Sequence, residues 1–304
     1  ASLKCPVSSV FMASTGVIGE KLNYKKIITK IPKMSENLKE GNWNKAATAI
    51  TTTDTFPKGA SEVALIRNKK IQITGIAKGS GMIAPDMATM LSFIFTDANI
   101  PSNILQTLLS RNVQNTFNAI TVDSDASTSD TVLLFATGAA KSIAPTSADD
   151  PVLKDFELAL QSVMLNLAKQ IVCDGEGAQK LIQVNVTGAN SKKSARKIGL
   201  AIANSPLVKT AIAGGDANWG RVVMAVGKSG EKANPDKISV CFGKTIIAEK
   251  GAVVEGYDEA PVTEHLQGRE IHITVDVGLG NGKSTVWTCD LTHGYIEINA
   301  DYRS

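Results

Sequence analysis

Segments with the two-residue period of a strand come in clusters along this chain, and segments with helical spacing come in pairs between them. Ile71 to Ile76 alternates as a strand, and Met90 to Thr96 reads as a buried one. Pro32 to Thr51, Pro101 to Phe117 and Val152 to Val172 carry helical spacing. Leu181 to Val186 alternates again, and Ser191 to Ile212 is helical with an expected break at Asn204-Ser205-Pro206. The last third reads as strands at Arg221 to Val226, Ile238 to Phe242, Thr245 to Glu249, Glu270 to Val277, Ser284 to Leu291 and Tyr295 to Asn299, and Val10 to Ala13 reads as a further strand near the start. In 304 residues without a repeat or long linker, that order suggests α+β layers, sheets covered by helices, over a strict β-α-β alternation.

Charge and cysteine content exclude several classes. Lys and Arg number 32 against 29 Asp and Glu, so the net charge of +3 is small and spread out, unlike the concentrated basic face of a nucleic-acid binder. Cys5, Cys173, Cys241 and Cys289 are far apart and form no C-x-x-C pair, which predicts reduced, mostly buried thiols. His265, His272 and His293 are also dispersed, so no metal is expected. No apolar run approaches the roughly 18 residues of a membrane span. The start of the chain lacks the pattern of a signal peptide and reads as a strand entered in mid-fold, so upstream residues are expected.

Familiar catalytic signatures are missing. There is no G-x-S-x-G elbow and no H-E-x-x-H. Gly278 to Ser284 looks like a phosphate loop, but three residues stand between Gly278 and Gly282 where four are needed, and the segment joins two strands. It reads as a hairpin turn. The stretch Lys78 to Thr96 is different: a glycine turn, a short apolar loop, then Ala88-Thr89 at the mouth of a buried strand. A threonine held there can attack the carbonyl of Ala88, turn the peptide into an ester and, after hydrolysis, become an N-terminus. Its α-amine, with a reference pKa of roughly 7.7 to 8.0, can then serve its own hydroxyl as general base. Spacing alone carries little here, because Ala-Thr before a strand is common.

The sequence as a whole resembles the ornithine acetyltransferase (glutamate N-acetyltransferase) family. The resemblance rests on Ser14 to Gly19, Thr52 to Thr55, Lys78 to Pro85, Met87 to Leu91, Asp174 to Ala178, Asp216 to Arg221 and Asn299 to Ser304, in family order over the whole chain. It implies that Thr89 is the nucleophile, that Ala88-Thr89 is a self-cleavage bond, and that Thr15 and Gly16 stabilise the oxyanion. It also implies that Thr52, Lys78, Glu176, Asn299 and Ser304 bind substrate beside Thr89. Asp86 stands where the family more often has asparagine.

The implied fold is an α/β sandwich of stacked sheets covered by helices. Residues 1–88 would be the end of an α subunit and 89–304 the β subunit, paired in an α2β2 heterotetramer. The implied reaction moves acetyl from N-acetylornithine to glutamate through an acetyl-threonine, in arginine biosynthesis and in the cytoplasm. It needs no cofactor, with acetyl-CoA a second donor in some members. The mitochondrial matrix would be the place of a eukaryotic member. Two rival readings share the scaffold: a self-processing aminopeptidase-type hydrolase and a non-catalytic relative.

Overall fold

The computed structural model describes residues 2–84 and 90–301. Helices α1 (Tyr24–Glu36) and α2 (Trp43–Ala49) precede strands β1 (Lys58–Ile66), β2 (Lys69–Lys78) and β3 (Leu91–Thr96). Helix α3 (Ser102–Val113), strand β4 (Thr131–Ala136) and helix α4 (Lys154–Cys173) follow. Then come β5 (Leu181–Ala189), α5 (Lys192–Ala203), α6 (Pro206–Ala213), α7 (Trp219–Lys228), β6 (Ser239–Phe242), β7 (Thr245–Glu249), β8 (Ala252–Val253), α8 (Ala260–Gln267), β9 (Glu270–Asp276), β10 (Gly282–Cys289) and α9 (His293–Asp301).

The first sheet has the order β1-β2-β3-β4, antiparallel except for the parallel β3–β4 pair. The second has the order β10-β5-β9-β6-β7-β8, with β5 and β9 parallel. Helix α4 packs across β1 and β2 and also meets β10 and β5, while α5 covers β10 and β5. The α+β expectation therefore holds, with helix layers on the faces of both sheets. Phe156, Leu160, Val163, Met164, Leu167, Ala168, Ile171 and Val172 of α4 are buried, a stripe at helical spacing. Each of the larger of these side chains contributes about 1.5–3 kcal/mol relative to an exposed position.

Local chemistry explains where helices begin. Ser191 Oγ accepts from Ser194 N at 3.1 Å and starts α5. Ser205 caps α6 and Pro206 occupies its first turn, so the expected break falls between Ala203 and Pro206. The expected helix over Pro32 to Thr51 is two helices, separated at 37–42 around Gly41. Two segments expected as strands are helical. Asn218 caps Arg221 N and starts α7, whose Val222, Ala225 and Val226 are buried at helical spacing. Tyr295 to Asn299 lies in α9, where Ile296 and Ile298 face outward and Asn299 Nδ2 reaches back to Tyr295 O at 3.0 Å.

Residues 10–16 form no strand; Phe11 meets Phe135 edge-on, with centroids 5.6 Å apart. Strand β1 carried no clear sequence signal, and β4 was not read as a strand from the sequence. Residues 277–281 are not a hairpin turn, because β9 and β10 flank β5 on opposite sides. All four cysteines are free, but only Cys289 is buried, while Cys5 and Cys173 are exposed.

The register gathers four strand ends at one edge of the first sheet. Lys58 pairs with Ala77, Lys78 with Leu91, and Leu91 with Thr131. The C-terminus of α4 arrives at the same end, because that helix is pressed onto β2 at Gly75. A Cβ on Gly75 would lie 2.9 Å from Leu167 Cδ1 and 3.1 Å from Ile94 Cγ1. Gly75→Val is expected to destabilise the fold by about 1–3 kcal/mol through overpacking. The denaturant midpoint measures this, and an unchanged midpoint would refute the close approach of α4.

Candidate functional site

The site is built around a buried lysine. Lys58 opens β1 with its side chain fully covered, and burying an ammonium is tolerable only with partners. Its Nζ donates to Asp54 Oδ1 at 2.6 Å and to Asp174 Oδ2 at 2.5 Å. Asp54 Oδ1 also accepts from Gly79 N at 2.7 Å, and its Oδ2 from Thr52 N at 3.0 Å. Asp174 accepts from the backbone N and hydroxyl of Thr55, and its carbonyl takes the Ser80 hydroxyl at 2.6 Å. The loop holding Thr52, the turn after Lys78 and the end of α4 are thereby locked together. Burial alone would raise the Asp54 pKa, but the bonds from Gly79, Lys58 and Thr52 outweigh it and hold the carboxyl below its ordinary range.

Lys78, at the end of β2, is 2% exposed. Burial lowers its pKa, the charge of Asp54 opposes that, Lys58 adds to it, and Asp130 and Glu176 oppose it. Glu176 is half-buried just beyond the helix end, and its backbone N donates to Ser80 O at 3.3 Å. Its Oε2 accepts from Asn299 Nδ2 at 2.8 Å, which ties α9 to the site. Burial, together with the charges of Asp123 and Glu176, pushes the Tyr295 hydroxyl up to about 12.

One loop, residues 121–131, grips both flanks of segment 85–89. Asp123 accepts from Met82 N at 2.7 Å and Ile83 N at 2.9 Å, and Val122 N donates to Ile83 O at 2.7 Å. Eight residues after Asp123 along the same loop, Thr131 N donates to Met90 O at 3.0 Å, while Asp130 Oδ1 accepts from Met90 N at 2.7 Å. Burial pushes Asp130 up to about 7, although the Met90 N–H and Lys78 pull it down.

Of the residues singled out by sequence, the structure brings Lys78, Glu176, Asn299 and the Thr52 backbone to this end of the sheet. Thr15 is half-buried and Gly16 exposed in a segment without helix or strand, and among the described residues no hydrogen bond joins either to the others. Ala88, Thr89 and Ser304 lie outside the described residues. Lys58, Asp123, Asp130 and Asp174 had no role assigned from sequence. A lysine between two aspartates is invisible when one partner is over a hundred positions away, although the D-x-x-x-K spacing of Asp54 and Lys58 was a usable signal.

The raised pKa of Asp130 makes stability depend on pH. Unfolded, the carboxyl titrates near 3.8; folded, near 7. Between these values the native state binds the extra proton, so this group's contribution to stability falls as pH rises from about 4 to about 7. Asp130→Asn keeps an acceptor for Met90 N and removes the titration. Its denaturant midpoint relative to the unmodified chain is expected to be higher at pH 8 than at pH 5. An offset that does not change with pH would contradict the assignment.

The model of the ArgJ family matches residues 1–304. An arginine biosynthesis bifunctional protein ArgJ from Gluconobacter oxydans is 59% identical over 99% of this chain and 71% of its own length. One from Brucella suis is 55% identical over 100% of this chain and 74% of its own. A crystal structure of arginine biosynthesis bifunctional protein argJ from Bacillus halodurans superposes with a TM-score of 0.65 at 43% identity, covering 68% of this chain and 96% of that one. Matched end to end by the family model and more than half identical to these relatives, the chain belongs to the ArgJ family.

Proposed function

We propose that this chain is an acetyltransferase of arginine biosynthesis that cuts itself before Thr89 and transfers acetyl from N-acetylornithine to glutamate. The observation that carries the reading is the framing of segment 85–89. Ile83 on one side and Met90 on the other are held by the same loop, at the sheet end where Lys78, Glu176 and Asn299 meet. In self-cleavage, Thr89 Oγ attacks the Ala88 carbonyl, the peptide C–N bond breaks to leave an ester, and water hydrolyses it. The freed α-amine then takes the hydroxyl proton as Oγ attacks the acetyl carbon of N-acetylornithine. Ornithine leaves with that proton, and an acetyl ester remains on Thr89. The glutamate amine attacks the ester and regenerates the hydroxyl.

Thr15 and Gly16 supply the oxyanion donors in this scheme. Lys78 meets the substrate carboxylate and Glu176 its ammonium group, with Thr52, Asn299 and Ser304 completing the polar set. The products of cleavage are residues 1–88 and 89–304, assembled as α2β2 in the cytoplasm. The size of the Bacillus halodurans chain supports this division: 96% of it is matched by 68% of the present chain, close to the share that follows Ala88. The relatives' names call them bifunctional, and acetyl-CoA as a second acetyl donor would be one way for this chain to have a second activity. No bound cofactor enters the scheme.

Intact mass and N-terminal sequencing test the cleavage. Two fragments are expected, the second beginning Thr-Met-Leu-Ser, with a single chain in Thr89→Ala; an uncut, folded, unmodified chain would refute the mechanism. The pocket has its own test at Gly81, where an added Cβ would lie 2.5 Å from the Glu176 carboxylate. Because that carboxylate ends a flexible side chain, Gly81→Ala is expected to displace it and lower kcat/KM by roughly tenfold, about 1.4 kcal/mol, while the melting temperature barely moves. Unchanged kinetics would remove Glu176 from the pocket.

A further inference from the structure

Resting on the function proposed above, we infer that Asp54 is the positioning residue of the amino-acid pocket: it keeps Lys78 aimed and charged and fixes the Thr52 loop beside it. Asp54 has no role in the scheme so far. It is nevertheless the point at which the pocket's parts join. One of its oxygens takes the Thr52 N–H, and the other takes both Lys58 Nζ and the N–H of Gly79, the residue after Lys78.

Charge counting shows what this arrangement does. Lys58 lies between two carboxylates, Asp54 and Asp174, so that trio carries one net negative charge. Lys78, itself 2% exposed, adds one positive charge beside it, and the four groups together are neutral. Among the described residues, Asp54 rather than Asp174 is the carboxylate of this trio that acts on Lys78, and it also holds the N–H of Gly79, the residue after Lys78. The charged groups among the described residues that face Lys78 are Asp54 from the 51–57 loop, Lys58 from β1, Asp130 from the loop before β4, and Glu176 from the turn after α4. Of these, Asp54 opposes the effect of burial most strongly, and Lys58 works against it. A lysine recognises a carboxylate only while it is protonated, so removing the Asp54 charge weakens binding and lowers the pH at which binding is lost.

Asp54→Asn keeps the shape and acceptor oxygen and removes the charge. In steady-state acetyl transfer from N-acetylornithine to glutamate, followed from pH 6 to pH 10, the KM for both amino acids is expected to rise about tenfold with kcat nearly unchanged. The basic limb of kcat/KM is expected to move to lower pH. Asp54→Glu keeps the charge and displaces it, so its KM should rise while its basic limb stays in place. Should Asp54→Asn fail to fold, Asp54→Glu decides alone: a raised KM supports the inference and a wild-type KM overturns it. A folded Asp54→Asn with wild-type KM and basic limb overturns it as well. These outcomes presuppose a transferring wild type; a wild-type enzyme that forms no N-acetylglutamate refutes the functional reading itself.

Discussion

A fully covered ammonium between two carboxylates holds this architecture together at one end. Lys58 binds Asp54 four residues upstream and Asp174 at the far end of α4, and Thr55 and Ser80 complete the second carboxylate and its carbonyl. Buried ion pairs are weak evidence of net stability, because desolvation consumes most of the attraction. Their value lies in intolerance of error, since an unpaired buried charge is costly. The loop, the strand end and the helix end therefore have one acceptable arrangement. The backbone of Thr52, the side chain of Lys78 and the turn that carries Glu176 inherit their places from it.

The second organising element is the loop from Thr121 to Thr131. It bonds to Met82, Ile83 and Met90 with two aspartates and two backbone amides. Strong acceptors hold the N–H groups of both flanks, Ile83 and Met90. Acyl chemistry on a peptide carbonyl gains from such framing, because approach geometry is set before the reaction begins. The bonds from Asp130 and Thr131 to Met90 lie at the end of the sheet where Lys78, Leu91 and Thr131 meet.

Much of the fold was readable in the residues. Strand period marked β2, β3, β5 and β9, and Pro206 behind Ser205 marked the division between α5 and α6, because these signals are local. The errors at Arg221 to Val226 and Tyr295 to Asn299 were cases where a cap or a tertiary contact outweighs local β preference. Arg221 to Val226 is rich in β-branched residues yet helical, because Asn218 caps it and Val222, Ala225 and Val226 pack inward together. The alternation of Ile296 and Ile298 imitates a strand, while the bond from Asn299 to Glu176 fastens a helix there. The site divided in the same way. Lys78, Glu176 and Asn299 were legible as motif residues, and they meet. Apart from the D-x-x-x-K spacing of Asp54 and Lys58, the aspartates that position them were not, since burial and long-range pairing leave no mark on neighbouring positions.

The seam between β2 and β3 has a further consequence. The two strands are antiparallel neighbours from Ile73 opposite Thr96 to Lys78 opposite Leu91, and the chain joins them through residues 79–90. Under the proposed cleavage, the broken bond lies within that connection, so one sheet is shared by two polypeptides. Its hydrogen bonds do not need the lost link, and the native state persists. The route back to it does not. Before the cut, β2 and β3 meet by closing a short loop, a first-order event. Afterwards they meet as separate molecules, at a rate set by concentration. The enzyme is then assembled once, as a precursor, and what preserves it thereafter is the slowness of its unfolding.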